Sequence, residues 1–193
     1  MSLILASNSQ IRRSMLEQAG IDFEVRPPQF DETAAKQDQD AAGEALALRL
    51  AQAKATSVIA GEGNWVIGSD STVTVDGKRY SKPRSREEAA DHLHRFSGKN
   101  MDLSSAVALA NSGRVDWSHA ETARLKVRSL SDEFIEQYLE TEWPEVGHCV
   151  GVFRMEGRGV TLFDRVEGSH FTILGMPLLP LLGALRDRGL APS

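Results

Sequence analysis

Cysteine is almost missing from this chain. Its 193 residues include one, Cys149, so no intramolecular disulfide can form and a reducing compartment is the natural setting. His148 stands beside it, but adjacent residues of a strand point to opposite faces, so the pair reads as an inert buried thiol and not a nucleophile with its base. Basic excess is also lacking: the net charge is −5, and generic nucleic-acid binding needs a basic face to displace counterions. A small anionic ligand stays compatible, because a few local cations outweigh the global sign within a Debye length. No run approaches the ~20 apolar residues that span a bilayer. Leu3-Ile4-Leu5-Ala6 has no basic region before it and reads as a core strand, not a signal peptide, so the cytoplasm is the expected location. The sequence contains no GxxxxGK phosphate loop, no GxGxxG after a strand and no HExxH. Its five histidines are scattered, and His92 and His94 fall on different sides of one helix, which argues against a histidine-ligated zinc.

What is present alternates between strand-like and helix-like segments, the pattern of an α/β fold. Leu3–Ala6 reads as a buried strand, and Gln10–Ala19 as a helix with Ile11, Met15, Leu16 and Ala19 on one face, stopped by Gly20. Ile21–Arg26 reads as a second strand and Ala41–Ala60 as a long helix. Trp65–Val75 is a strand closing at the turn Asp76-Gly77, and Asn111-Ser112-Gly113 joins two further strands, Leu103–Ala110 and Val115–Val127. Ser85 through Glu88 has capping-box form, and Ser131 caps a helix running through Leu139. Gly159–Val166 reads as a strand and Leu178–Arg188 as a closing helix. Without a repeat or a long Pro/Gly linker, residues 1–193 form one domain.

Four clusters carry candidate chemistry. Ser7, Ser9, Arg12 and Arg13 fall where the first strand enters the first helix, a place where backbone N–H groups and the helix dipole attract anions. Guanidinium groups there can grip phosphate in two-pronged fashion, whereas the plain alternative makes Ser9 an N-cap and the arginines solvated. Asp31-Glu32 supplies oxygens of the kind Mg²⁺ accepts beside a polyphosphate, or is simply an acidic turn. Asp70 interrupts a β-branched run, where strand propensity and desolvation both oppose it, so pairing, metal binding or catalysis is expected of it. Lys82, stiffened by Pro83, can meet phosphate as a point charge; Lys54 alone reads as a solvated helix face.

Taken in order, Leu5-Ala6-Ser7-Asn8-Ser9 with Arg12-Arg13, Phe30 to Thr33, Leu50 to Ala55, Ile67-Gly68-Ser69-Asp70, Lys82-Pro83, Arg86 to Ala89, Ser97-Gly98 and Glu156 to Gly159 resemble the Maf family of nucleotide pyrophosphatases. The resemblance covers nearly the whole chain. It implies a two-lobed, inosine triphosphate pyrophosphatase-like α/β fold, with a long twisted mixed sheet flanked by helices and a central cleft. It also implies a homodimer that takes a nucleoside triphosphate, neither nucleic acid nor membrane, with Mg²⁺ or Mn²⁺ as cofactor. By that likeness Ser7, Ser9, Arg12, Arg13, Lys54, Lys82 and Glu156 bind substrate, Glu32 and Asp70 hold the metal, and Asp70 activates water for attack on the α-phosphorus. Gln10 and Ile11 depart from the family's usual Pro-Arg, Ser81 from a common glycine, and Ser71 from Thr or Gln. Glu156 resembles the branch that acts on 7-methyl-GTP, while the dTTP/UTP branch carries Gln there; Ser71 does not follow the former branch, which tends to have Gln, so the resemblance leaves base preference open. The alternative is a nucleotide-binding regulator of cell division that works through a protein partner without turnover; keeping both Asp70 and Glu32 weighs against it.

Overall fold

The structure is a computed structural model and describes residues 2–30, 43–61 and 63–192. Strand β1 (Leu3–Ala6) leads into helix α1 (Gln10–Gln18) and a two-residue strand β2 (Glu24–Val25). Helix α2 (Gly43–Ser57) precedes β3 (Trp65–Val75) and β4 (Lys78–Tyr80), and α3 (Arg86–Phe96) follows. The hairpin β5 (Asn100–Asn111) and β6 (Arg114–Val127) is followed by α4 (Asp132–Glu142), β7 (Phe163–Glu167), α5 (His170–Leu174) and α6 (Leu178–Arg186). Among the described residues no helix is long and apolar enough to cross a membrane.

The seven strands form one mixed sheet in the order β2-β1-β3-β5-β6-β7, with β4 also paired to β3. β1 runs parallel to β2 and β3, and the remaining pairs are antiparallel. Helix caps account for several boundaries. The Ser9 side chain accepts from Arg12 N–H at the start of α1, Ser85 from Glu88 N–H at α3, and Ser131 from Phe134 N–H at α4. The capping box at Ser85 is shifted by one residue, since the Glu88 carboxylate accepts from the Arg84 N–H at 2.8 Å.

Two apolar cores lie on one face of the sheet, at opposite ends of the long strands. Alternation places Ile67, Ser69, Ser71 and Val73 on that face of β3. Ile67, Val107 and Leu109 join Met15 and Leu16 of α1 and Leu181 and Leu185 of α6 in one core. Val73, Leu103 and Leu125 join Leu93, Phe96, Ile135 and Leu139 of α3 and α4 in the other. Between them the face turns polar at Ser69, Ser71 and Ser105. The opposite face carries Gly68, Ala106, Ala108 and Ala110, small residues that let α2 pack closely through Ala47, Ala51 and Ala55.

Several expectations need correction. The strand foreseen over 21–26 is confined to Glu24–Val25, because only Ile4 and Leu5 pair with it. The first half of the segment 159–166 is a 3₁₀ turn, Arg158–Leu162, and the strand begins at Phe163. His148 closes another 3₁₀ turn, Glu145–His148, so it and Cys149 are not strand neighbours. Helix α5 went unforeseen; at five residues it is too short to show periodicity.

Candidate active site

The sheet topology leaves a notch beside Asp70. β1 accompanies β3 only from Trp65 to Gly68, and on the same side β4 accompanies it only from Val73 to Val75. Ser69 to Thr72 therefore have β5 on one side and no strand on the other, among the described residues. Chain segments converge on this gap from both ends. β1 ends at Ala6 opposite Gly68, which delivers Ser7 to Ser9 to the notch. β4 runs antiparallel from Tyr80, opposite Val73, so its continuation carries Ser81 and Lys82 back toward the level of Ser71. Strand ends and crossover turns of this kind are where α/β sheets present their ligand sites.

Asp70 is 9% exposed and Lys54 of α2 is 8% exposed, and Lys54 Nζ lies 2.9 Å from Asp70 Oδ2. Lys54 is thus a buried partner of Asp70, which corrects the solvated helix face that its sequence context suggested. Asp70 Oδ1 accepts the Ser71 N–H at 2.7 Å. Asp70 Oδ2 is buried, and within the described residues its polar contact is the ion pair with the Lys54 ammonium at 2.9 Å. A buried anionic oxygen left in this state is the place for a water proton or a cation.

Arg12 is buried as well, and its guanidinium faces the protein. Nε donates to the Gly175 carbonyl at 2.9 Å, Nη1 to the Ser69 carbonyl at 3.0 Å and Nη2 to Ser71 Oγ at 3.1 Å. The fork thereby satisfies one of the backbone carbonyls that the notch leaves unpaired. Gly175 caps α5 with φ 108°, a left-handed conformation suited to glycine, and its carbonyl also lies within reach of the Ser69 and Ser71 hydroxyls. Sequence reasoning missed this carbonyl, because a main-chain oxygen leaves no trace beyond the glycine that shapes it.

The remaining candidates divide. Ser7 is buried and its Oγ accepts the Ser9 N–H, while Ser9 Oγ is the N-cap of α1. Arg13 is half-exposed and lines a shallow cavity of about 440 Å³ with Glu17, Ile21, Asp22, Phe23 and Val25, away from the Asp70–Lys54 pair. Lys82 and Glu156 are exposed, and the charge of each is felt at the Cys149 thiol. Burial, with Glu156 adding to it, pushes that thiol up to about 11. Glu32 lies outside the described residues. Among those described, no three of His, Cys, Asp and Glu cluster to hold a metal. Mg²⁺ needs only one or two protein carboxylates, so Asp70 Oδ2 alone fits as a partial ligand.

The family model described as "Maf-like protein" matches residues 2–188. The 7-methyl-GTP pyrophosphatase of Rhizobium meliloti (strain 1021) is 44% identical over 191 residues, covering 97% of this chain and 96% of that protein. The nucleoside triphosphate pyrophosphatase of Sphingopyxis alaskensis is 45% identical over 198 residues, covering 100% of both. The chain belongs to the Maf-like proteins. Among solved structures, a HAM1 protein from Coxiella burnetii is similar over 66% of this chain and 73% of its own, with a TM-score of 0.43 and 13% identity. That likeness is too slight to bear on activity.

Proposed function

We propose that this protein is a nucleoside triphosphate pyrophosphatase, a hydrolase that converts its substrate to a monophosphate and pyrophosphate. The observation that carries the reading is the buried Asp70–Lys54 pair at the sheet notch, with Lys54 Nζ 2.9 Å from Asp70 Oδ2. The names of the full-length relatives support the same reaction. Asp70 Oδ2, together with Glu32 by family resemblance, would hold Mg²⁺ or Mn²⁺. When bound, such an ion offsets phosphate charge and makes water a better nucleophile.

The chain's own residues supply positioning and charge. Asp70 orients a water and takes its proton as the oxygen bonds to the α-phosphorus and the bond to the β-phosphate oxygen breaks. Lys54 and Lys82 offset the charge that builds up on the phosphates, and Ser7, Ser9, Arg12 and Arg13 line or frame the turn that meets them. Little covalent work is asked of the protein, which suits a site in which no serine, cysteine or histidine stands beside Asp70 as an activated nucleophile among the described residues. Glu156 bears on base choice. A carboxylate only accepts hydrogen bonds, which matches the two donors on the pairing edge of guanine, and it favours a base made cationic by N7 methylation. The reading includes a homodimer working in the cytoplasm, for which sedimentation velocity and fractionation are the checks.

The test is pyrophosphate release from GTP, 7-methyl-GTP, dTTP, UTP and ATP with Mg²⁺, Mn²⁺ or EDTA. Metal-dependent release from the wild type is expected, with a loss of at least ~10²-fold in Asp70→Asn. Full activity in that variant would remove Asp70 from the mechanism. Nucleotide binding without turnover would favour the regulator.

A further inference from the structure

A line of hydroxyls, half-buried at Ser71 and buried at Ser105, crosses the polar middle of the sheet behind the notch. Arg12 Nη2 lies 3.1 Å from Ser71 Oγ, Ser71 Oγ 2.8 Å from Ser105 Oγ, and Ser105 Oγ 2.7 Å from the Thr172 carbonyl. The two ends constrain its direction. A guanidinium can only donate and a carbonyl can only accept. Ser105 therefore gives its proton to Thr172, while Ser71 accepts from Arg12 and has two acceptors within reach of its single proton, Ser105 Oγ at 2.8 Å and the Gly175 carbonyl at 3.2 Å. Ser71 Oγ is thus held among three partners, Arg12, Ser105 and Gly175, and networks of this kind polarise and stiffen one another. Ser105 and Thr172 are fully buried, so water does not stand in for a lost member.

Ser71 is gripped by this chain on one face of β3 and grips Asp70 in turn. Its N–H donates to Asp70 Oδ1 at 2.7 Å. That bond occupies one carboxylate oxygen and leaves the other, Oδ2, on the side of Lys54. The conformation of the carboxylate thus depends on a residue whose own side chain is anchored 2.8 Å away on the neighbouring strand.

We propose that Ser71 and Ser105 are positioning residues for the pyrophosphatase reaction: the hydrogen bonds of the Ser71 hydroxyl to Arg12, Ser105 and Gly175 fix Ser71, and the Ser71 amide holds Asp70 so that Oδ2 is the oxygen turned toward the attacking water. The proposal rests on the reading of Asp70 as the group that orients water, and both serines act through Asp70.

The experiment measures pyrophosphate release from 7-methyl-GTP and GTP with Mg²⁺ for wild type, Ser71→Ala, Ser71→Thr, Ser105→Ala and Asp70→Asn. Asn111→Ala serves as the control, since it removes a side-chain hydrogen bond at the far end of the same strands. The two alanine variants are expected to lose between about 10- and 100-fold in kcat with KM unchanged, the scale of a small misplacement of a reacting group. Ser71→Thr, which keeps the hydroxyl, is expected to recover most of the rate, and the control to match wild type. A readout without substrate accompanies this: the Ser71 amide proton, bonded to a carboxylate, is expected downfield in the NMR spectrum. It should move in Ser105→Ala and Asp70→Asn and stay in place in Asn111→Ala. Wild-type kcat in both alanine variants, a rise in KM in place of the fall in kcat, or an unmoved amide in Ser105→Ala would each overturn the proposal while leaving the function intact. An active Asp70→Asn, or a wild type that releases no pyrophosphate, would instead overturn the reading beneath it, and this proposal with it.

Discussion

Helix α2 rests on Gly68 so closely that a single methyl group should dislodge it. A Cβ built on Gly68 would lie 2.2 Å from the Ala51 carbonyl oxygen, 2.4 Å from the Ala55 nitrogen and 2.9 Å from the Ala55 Cα. All three are backbone atoms of a helix, so no side chain can swing aside. Ordinary contacts between carbon atoms lie at about 3.5–4.0 Å, so Gly68→Ala requires the helix to retreat by on the order of 1 Å. Overpacking of this kind costs about 1–3 kcal/mol, and the close packing of Ala47, Ala51 and Ala55 opens with it. In a chain of this size each kcal/mol moves the melting temperature by about 2–4 °C, so a fall of roughly 2–12 °C is expected by calorimetry. Because α2 also carries Lys54, whose ammonium is 2.9 Å from Asp70, the same retreat pulls that pair apart. A misplacement of about 1 Å is worth up to ~10²-fold in rate, so kcat should fall further than stability alone explains. Gly183→Ala supplies the contrast. It sits inside α6 with nothing within 4 Å of an added Cβ. There the substitution is expected to stabilise by about 0.5–1 kcal/mol with activity unchanged. Gly68→Ala with wild-type melting and wild-type kcat would show that the helix is not seated on this glycine.

Three further outcomes are expected. Arg12→Lys replaces a three-pronged donor with a point charge that cannot reach the Gly175 and Ser69 carbonyls and Ser71 Oγ together; urea denaturation should report a loss of roughly 1–3 kcal/mol. With the Cys149 thiol pushed up to about 11, about a thousandth of it is ionised near pH 8, so iodoacetamide should label the folded protein far more slowly than the urea-unfolded chain; equal rates would contradict its burial. Burial lowers His92 below its ordinary value of 6.5, so the unfolded chain binds the proton more readily than the folded one. Stability from this group is therefore full above 6.5 and is lost as pH falls toward the folded value. The wild type should lose urea resistance more steeply over that range than His92→Gln.

Much of the scaffold was legible from local signals. The run of β-branched residues ending at Asp76-Gly77 marked β3 to the residue, and Ser85 and Ser131 marked two helix starts because their hydroxyls satisfy first-turn N–H groups. Asp70 announced itself by being out of place in that strand. Its partner did not. Lys54 looks like any lysine on a helix until the sheet's small residues draw α2 down onto Asp70, and that is a tertiary fact. Arg12 and Arg13 are adjacent in sequence, yet the helix turns one into the protein and leaves the other over a shallow cavity, so the doublet could not show which was which. Segments 21–26 and 159–166 were over-read as strands because apolar content alone does not supply a pairing partner. Gly175, the hub for Arg12, Ser69 and Ser71, lies past a helix too short to show a period.

Neither core belongs to a contiguous piece of chain. β3, β5 and β6 each contribute one end to the core beside α1 and α6 and the other end to the core beside α3 and α4. A cut within any of these strands would therefore deprive both halves at once, so the lobes are not modules that can be expressed as fragments or exchanged between proteins. The chain offers a better place to open at the tip of the β5–β6 hairpin, where Ser112 and Gly113 are exposed and far along the strands from Asp70. Circular permutation there would keep every strand whole, and the two cores would still be built from the same three strands.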